Sequence, residues 1–235
     1  MTSHPPSATA GGSALPAPRY VDLGIAGVSE LAERATACTS PDRRTIIGVA
    51  GPPGAGKSTM ARQLCAALQP RARLVEMDGF HLASTELDRL GLTAEKGSPR
   101  TFDSSGFVAL MHRLASPAED PVYAPRFDRH VDDPIAGAVI VEPDVDLVLV
   151  EGNYLLLPIH PWVAARPLFT ETWYCTINDD LRRERLTRRH EAYGRRADSA
   201  RAWAHGPDED NARLVARTLK YADLVFTPRC QARRP

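Results

Sequence analysis

The residues able to do chemistry begin at Gly51-Pro52-Pro53-Gly54-Ala55-Gly56-Lys57-Ser58-Thr59, directly after the apolar run Thr45-Ile46-Ile47-Gly48-Val49-Ala50. Glycines at this spacing let successive backbone N–H groups turn inward around a di- or triphosphate. The whole stretch from Gly51 to Thr59 is therefore read as a nucleotide-phosphate cradle. Within it the Lys57 ammonium bridges the β- and γ-phosphates and the Ser58 hydroxyl is a ligand for Mg²⁺. A chance Gly/Pro turn would lack the β-branched strand before it and the helix-like Lys57 to Leu68 after it.

Two carboxylates follow at the ends of apolar segments. Asp78 stands in Met77-Asp78-Gly79-Phe80-His81 after a strand read over Arg73 to Glu76, and Glu151 opens Glu151-Gly152-Asn153-Tyr154 after Val145 to Val150. Phosphoryl transfer to an alcohol needs the nucleotide held, its charge balanced, and an acceptor hydroxyl aligned beside a carboxylate. Asp78 is read as the acceptor of the hydroxyl proton, and Glu151 as the acid that holds Mg²⁺ through water or positions substrate. Those roles are exchangeable, so Ser58, Glu151 and Asp78 are all candidate metal-associated positions; taken singly, each acid could also be a solvated strand end or a helix cap.

The basic side chains come next. Arg182, Arg185 and Arg189 recur on one face of a helix, and a lid over about 181–196 would bring them onto the transferring phosphate. The catalytic candidates are thus Asp78, Lys57, Glu151, Arg185 and Arg189, against the alternative of a solvated helix face paired with Asp180 and Glu184. Pro121 to His130 is rich in polar side chains, and its prolines argue against a helix, so it is placed over the pocket mouth. Together with His81 and Asn153 it supplies the substrate-binding candidates Tyr123, Arg126, Asp128 and His130. No His, Cys and Asp grouping has zinc spacing.

Positioning these groups requires a sheet. Apolar runs at Thr45–Ala50, Arg73–Glu76, Val145–Val150, Glu171–Ile177 and Asp223–Phe226 alternate with helical patterns over 57–68, 103–114, 179–190, 197–204 and 208–221. Asp103 is the expected N-cap of the second of these helices. A further helix is predicted over Val21 to Thr39, from Ile25, Val28, Leu31 and Ala32 at helical spacing. Strands alternating with helices give an α/β fold, a central parallel sheet with helices on both faces and an arginine-rich lid, which is a P-loop kinase architecture. Residues 1–19, rich in Pro, Ala, Ser and Gly, are read as a disordered tail and 20–235 as a single domain.

Composition narrows the partners. The chain of 235 residues carries 29 basic and 29 acidic side chains, so no global field attracts nucleic acid or an anionic membrane. Cys38, Cys65, Cys175 and Cys230 are far apart, as in a reducing compartment, and the chain is expected to be cytoplasmic. No apolar run is long enough to span a bilayer. A homodimer stays open.

These motifs carry a resemblance. Gly51 to Thr59, Met77 to His81, Lys96-Gly97 through Thr101-Phe102-Asp103, Pro121-Val122-Tyr123, Glu151 to Tyr154, Leu186 through His190 and Tyr221-Ala222-Asp223 are similar to those of the phosphoribulokinase, uridine kinase and bacterial pantothenate kinase superfamily. The chain looks closest to its nucleoside/nucleotide kinase-like branch, which includes sugar-transport-associated kinases. The resemblance implies ATP and Mg²⁺ as cofactors, Asp78 as the catalytic aspartate, Ser58 and Glu151 at magnesium-associated positions, and the arginine helix as the lid. After Tyr123 the chain has Asp128 and His130 where uridine kinases tend to place His and Arg. It also has Pro125 where pantothenate kinases tend to have His. A hydroxyl-rich, sugar-like acceptor would suit Asp128, Arg126, His130 and Asn153. The implied activity is transfer of the γ-phosphoryl group to a hydroxyl of a small metabolite, sugar-like, nucleoside or pantothenate-like. The competing reading is a nucleotide-switched regulatory ATPase, which would leave Asp78 and the lid arginines without a task.

Overall fold

The computed structural model describes residues 21–116 and 119–229. The tail expected over 1–19 lies outside the described residues. Strand β1 (Val21–Ala26) leads to α1 (Val28–Ala37), β2 (Thr45–Ala50) to α2 (Lys57–Ala67), and β3 (Ala72–Glu76) to a 3-10 turn at Met77–Phe80. Helices α3 (Ser84–Leu90) and α4 (Ser104–Ala115) precede a hairpin of β4 (Val122–Asp128) and β5 (Asp133–Val141). The rest is β6 (Leu147–Glu151), β7 (Glu171–Cys175), α5 (Asp179–Ala192), α6 (Ala197–His205), α7 (Pro207–Ala216) and β8 (Leu224–Pro228).

Six strands form one parallel sheet in the order β1-β8-β7-β2-β6-β3. Every residue of β2, β6 and β7 is buried, which is why β2 and β6 read as near-continuous apolar runs. Their side chains divide between two helical layers by the two-residue period of a strand. Ile47, Val49, Leu147 and Leu149 pack with Leu31, Met60 and Leu64 from α1 and α2. Ile46, Val148 and Val150 pack with Phe107, Leu110, Met111 and Leu114 of α4 on the other side. Asp103 caps α4 as expected, its carboxylate accepting from the Gly106 N–H at 2.8 Å. With β2 central, the loop that follows it opens at the carboxyl edge of the sheet, where ligands sit in open parallel sheets.

One expectation about the elements is corrected. Residues 21–26 are an edge strand rather than the start of a helix: Val21 pairs with Leu224, and Gly24 adopts φ +60 within the strand. Helix α1 starts only after Gly27, whose N–H donates to the Glu30 carboxylate at 3.1 Å. The segment from Pro121, placed over the pocket mouth, reaches the cleft through Phe127, Arg129 and His130, as one half of a hairpin paired with a strand over 133–141 that the sequence pattern did not announce.

Candidate active site

The loop after β2 makes three turns that side chains oppose, at Gly51, Gly54 and Gly56, and delivers the uncapped N-terminus of α2 to the cleft. Lys57, only 6% exposed, donates from Nζ to the Pro52 carbonyl at 3.1 Å and to Asn153 Oδ1 at 2.7 Å. Burial lowers its pKa, with Glu151 as the largest opposing influence. The Ser58 hydroxyl donates to Glu151 Oε1 at 2.9 Å. Glu151 ends β6 and is 3% exposed; burial pushes its pKa up to about 7 against the pull of Lys57, and repulsion from Asp78 and Glu76 adds to the rise. A hydroxyl and a buried carboxylate whose charged form lacks compensation are donors suited to a hard divalent cation that keeps most of its ligands as water and phosphate. No group of three or more His, Cys, Asp or Glu suited to a metal occurs among the described residues.

Asp78 projects from the 3-10 turn at the end of β3. Burial works to raise its pKa, but His81, Arg129, Lys57 and Arg189 outweigh it, and the carboxyl is held below its usual range. Its closest cation is Arg129 of the hairpin turn, Nη2 to Oδ2 at 3.1 Å. The turn is fixed by a backbone approach: a Cβ on Gly79 would lie 2.5 Å from the Pro125 carbonyl oxygen, so only glycine lets β4 pass this close to Asp78. His81 donates from Nδ1 to the Asp78 carbonyl at 2.8 Å, which leaves Nε2 as an acceptor. Its ring lies between Phe102 at 4.0 Å and Phe127 at 4.9 Å, and burial lowers its pKa against the pull of Asp78.

Helix α5 closes the opposite wall. A Cβ on Gly54 would meet Leu186 Cγ at 2.8 Å and the Arg182 carbonyl oxygen at 3.0 Å, so this helix packs directly on the phosphate loop. Arg182 is the departure from the expected arginine row. It is fully buried, with Nε on Asp179 at 2.9 Å and Nη2 on Glu209, and it anchors α5 to α7 instead of facing a ligand. Arg185 and Arg189 do line the cleft, with Tyr193 and Arg195 beyond them.

The resulting cavity has a volume of about 990 Å³. It gathers Lys57, Ser58, Asp78, His81, His130, Glu151, Asn153, Arg185 and Arg189 from the candidates read in the sequence. Tyr123, Arg126 and Asp128 are not among its lining residues; Tyr123 and Arg126 are exposed, and Asp128 accepts from the His130 N–H at 2.8 Å within the hairpin turn. Tyr123 lies on the face opposite Val122 and Ala124, and for Arg126 and Asp128 the reason is a change of pairing register between Ala124 and Arg126, where Gly137 on the facing strand has φ +65. Val122 and Ala124 face inward before that irregularity, but Phe127 and Arg129 face the cleft after it, in place of Arg126 and Asp128.

Spacing also passed over Lys96, Asp208 and Asn211. Lys96 donates to Ser84 Oγ at 3.1 Å and to Asp132 Oδ2 at 2.7 Å, tying its loop to the hairpin turn. Asn211 donates to the Gly97 carbonyl at 3.3 Å, and Asp208 accepts from His190 Nε2 at 2.7 Å. The only sequence signal for them was the Lys96-Gly97 motif; α7 read simply as an amphipathic helix.

A phosphate loop, two strand-end carboxylates and a basic helix around one cleft define a small-molecule kinase of the P-loop type. The chain is 32% identical over 213 residues to the Schizosaccharomyces pombe protein named "Putative uridine kinase C227.14", covering 86% of this chain and 91% of that one. A pantothenate kinase from Leifsonia xyli is 36% identical over 153 residues, covering 61% of this chain and 47% of the relative. Among solved structures, a "putative fructose transport system kinase" from Silicibacter sp. TM1040 superposes with a TM-score of 0.77 at 35% identity, over 84% of this chain and 98% of that one. No family model matches. The chain belongs to the phosphoribulokinase, uridine kinase and bacterial pantothenate kinase superfamily. No helix among the described residues is long and apolar enough to cross a membrane.

Proposed function

We propose that the protein transfers the γ-phosphoryl group of ATP, with Mg²⁺, to a hydroxyl of a small sugar-like, nucleoside or pantothenate-like metabolite. The observation that carries this reading is that Asp78, whose carboxyl is held below its usual range, shares one cavity with Lys57 and with the Ser58 and Glu151 pair. A phosphate held by the loop therefore has a proton acceptor beside it.

Lys57 exchanges its contacts with Asn153 and Pro52 for β- and γ-phosphate oxygens. Ser58 and Glu151 would hold a magnesium ion, which when bound would supply positive charge to offset that of the phosphates. Asp78 takes the acceptor's hydroxyl proton as the oxygen attacks phosphorus, and Arg185 and Arg189 meet the charge spreading over the transferring group. On the acceptor side, His81, His130, Phe127 and Arg129 present ring faces, imidazole nitrogens and a guanidinium, a polar set suited to several hydroxyls. The name of the Silicibacter structure supports a sugar as the first acceptor to try.

The test is a screen that follows ADP release with MgATP over sugars including fructose, nucleosides and pantothenate, against a baseline without acceptor. Acceptor-dependent release with stoichiometric phosphorylated product supports the reading. Brisk release that no acceptor alters would oppose it and favour a regulatory ATPase.

A further inference from the structure

Arg129 was not singled out by any motif, and the kinase reading does not require it to touch the nucleotide. Yet it is the nearest cation to the proposed base, 3.1 Å from Asp78 Oδ2. Its guanidinium is held between two rings, 5.7 Å from the centroid of Phe127 on the hairpin and 5.9 Å from that of Tyr193 at the end of α5. One side chain thus joins the hairpin, the base and the tip of the basic helix.

A kinase with a base poised beside a bound triphosphate faces a competing reaction. A water at the acceptor's position would give its proton to Asp78, bond through oxygen to the γ-phosphorus, and release ADP as the bridging P–O bond breaks. The acceptor hydroxyl performs the same exchange with carbon in place of hydrogen on the attacking oxygen. Both nucleophiles need the Asp78 carboxylate, one oxygen of which Arg129 engages.

We propose that Arg129 is a positioning residue that guards Asp78, keeping the carboxylate engaged until an acceptor hydroxyl takes its place, and thereby suppressing hydrolysis of ATP. The pair is suited to such an exchange: its side chains are 37% and 27% exposed, and a half-solvated ion pair is weak enough for a substrate to displace. The anchors of Arg129 also fit. Tyr193 is exposed at the end of α5, beyond the part of that helix fixed by Arg182 and Leu186, so movement of this tip would free the guanidinium. Arg189, the other cleft arginine whose charge acts on Asp78, lies on α5, but among the described residues the ion pair to Asp78 comes from the hairpin.

The inference rests on the phosphoryl-transfer reading, and its test needs no knowledge of the acceptor. Acceptor-free ADP release is measured with saturating MgATP in the wild type, Arg129→Met, Arg129→Lys and the double variant Arg129→Met with Asp78→Asn, with ATP affinity measured calorimetrically for each. Arg129→Met is expected to release ADP about tenfold faster or more than wild type at unchanged ATP affinity, Arg129→Lys to restore most of the suppression, and the double variant to lose the gain. Arg129→Met that binds ATP normally but hydrolyses it no faster, or more slowly, overturns the guard and leaves the kinase reading standing. Fast acceptor-free release by the wild type overturns both. A gain that survives Asp78→Asn also overturns the guard, because the water would then not be using that base.

Discussion

Lys57 Nζ lies 2.7 Å from Asn153 Oδ1, and this contact and the one with the Pro52 carbonyl at 3.1 Å, not an ion pair with Glu151, hold the loop lysine in place. A neutral amide keeps a buried ammonium satisfied without trapping it, so that a phosphate oxygen can replace the amide at little cost. Asn153 was read from the sequence as a substrate contact; in the cleft its oxygen serves the lysine. Asn153→Asp is expected to weaken ATP binding about tenfold by converting the contact into a competing ion pair. Isothermal calorimetry with MgATP separates the two roles: an acceptor-binding residue would leave the ATP affinity unchanged. Lys57→Ala is expected to abolish tight triphosphate binding in the same assay.

Glu209 holds the base of α5 through Arg182 and Arg183. The Arg183 hydrogen bond is the largest cause, with Arg182 adding to it against burial, of a Glu209 pKa lowered from 4.5 to about 2. A depressed carboxyl pKa gives stability that is present above about 4.5 and is lost as pH falls towards about 2. Glu209→Ala leaves the fully buried Arg182 guanidinium with only its Asp179 partner, and removing one member of a buried pair costs about 3–5 kcal/mol. Urea unfolding at neutral pH should show a loss of that order, and the difference from wild type should shrink as the pH is lowered through 4.5 towards 2.

Gly79 is expected to tolerate no side chain. In Gly79→Ala the new Cβ would meet the Pro125 carbonyl oxygen at 2.5 Å, and relieving such overpacking costs about 1–3 kcal/mol. Because the neighbouring residue is Asp78, the shift should lower turnover more than ATP affinity. Parallel measurement of ADP release and MgATP binding checks this; equal loss of both would place the damage in the phosphate loop instead.

The parts of this site that the sequence made legible are those built from local pattern. The strand before Gly51, the helix after Gly56 and the strand ends at Asp78 and Glu151 are each specified by residues within one or two turns or strands of themselves. What stayed hidden depends on distant pairing. Val21 becomes a strand because Leu224 is beside it, and no periodicity in the first segment records that. Arg129 lines the cleft and Arg126 and Asp128 do not, because the hairpin register changes opposite Gly137, and the count of polar residues in the segment cannot record that pairing. Arg182 shares a helical stripe with Arg185 and Arg189, and only the position of Glu209 turns it inward.

The central claim, that the phosphate loop and Asp78 are two halves of one phosphotransfer centre, is tested most directly by Asp78→Asn. Acceptor-dependent ADP release should fall roughly 10²- to 10⁴-fold, the range for loss of a general acid–base group, while the calorimetric affinity for MgATP stays within about twofold of wild type. Turnover near the wild-type rate in that variant would contradict it.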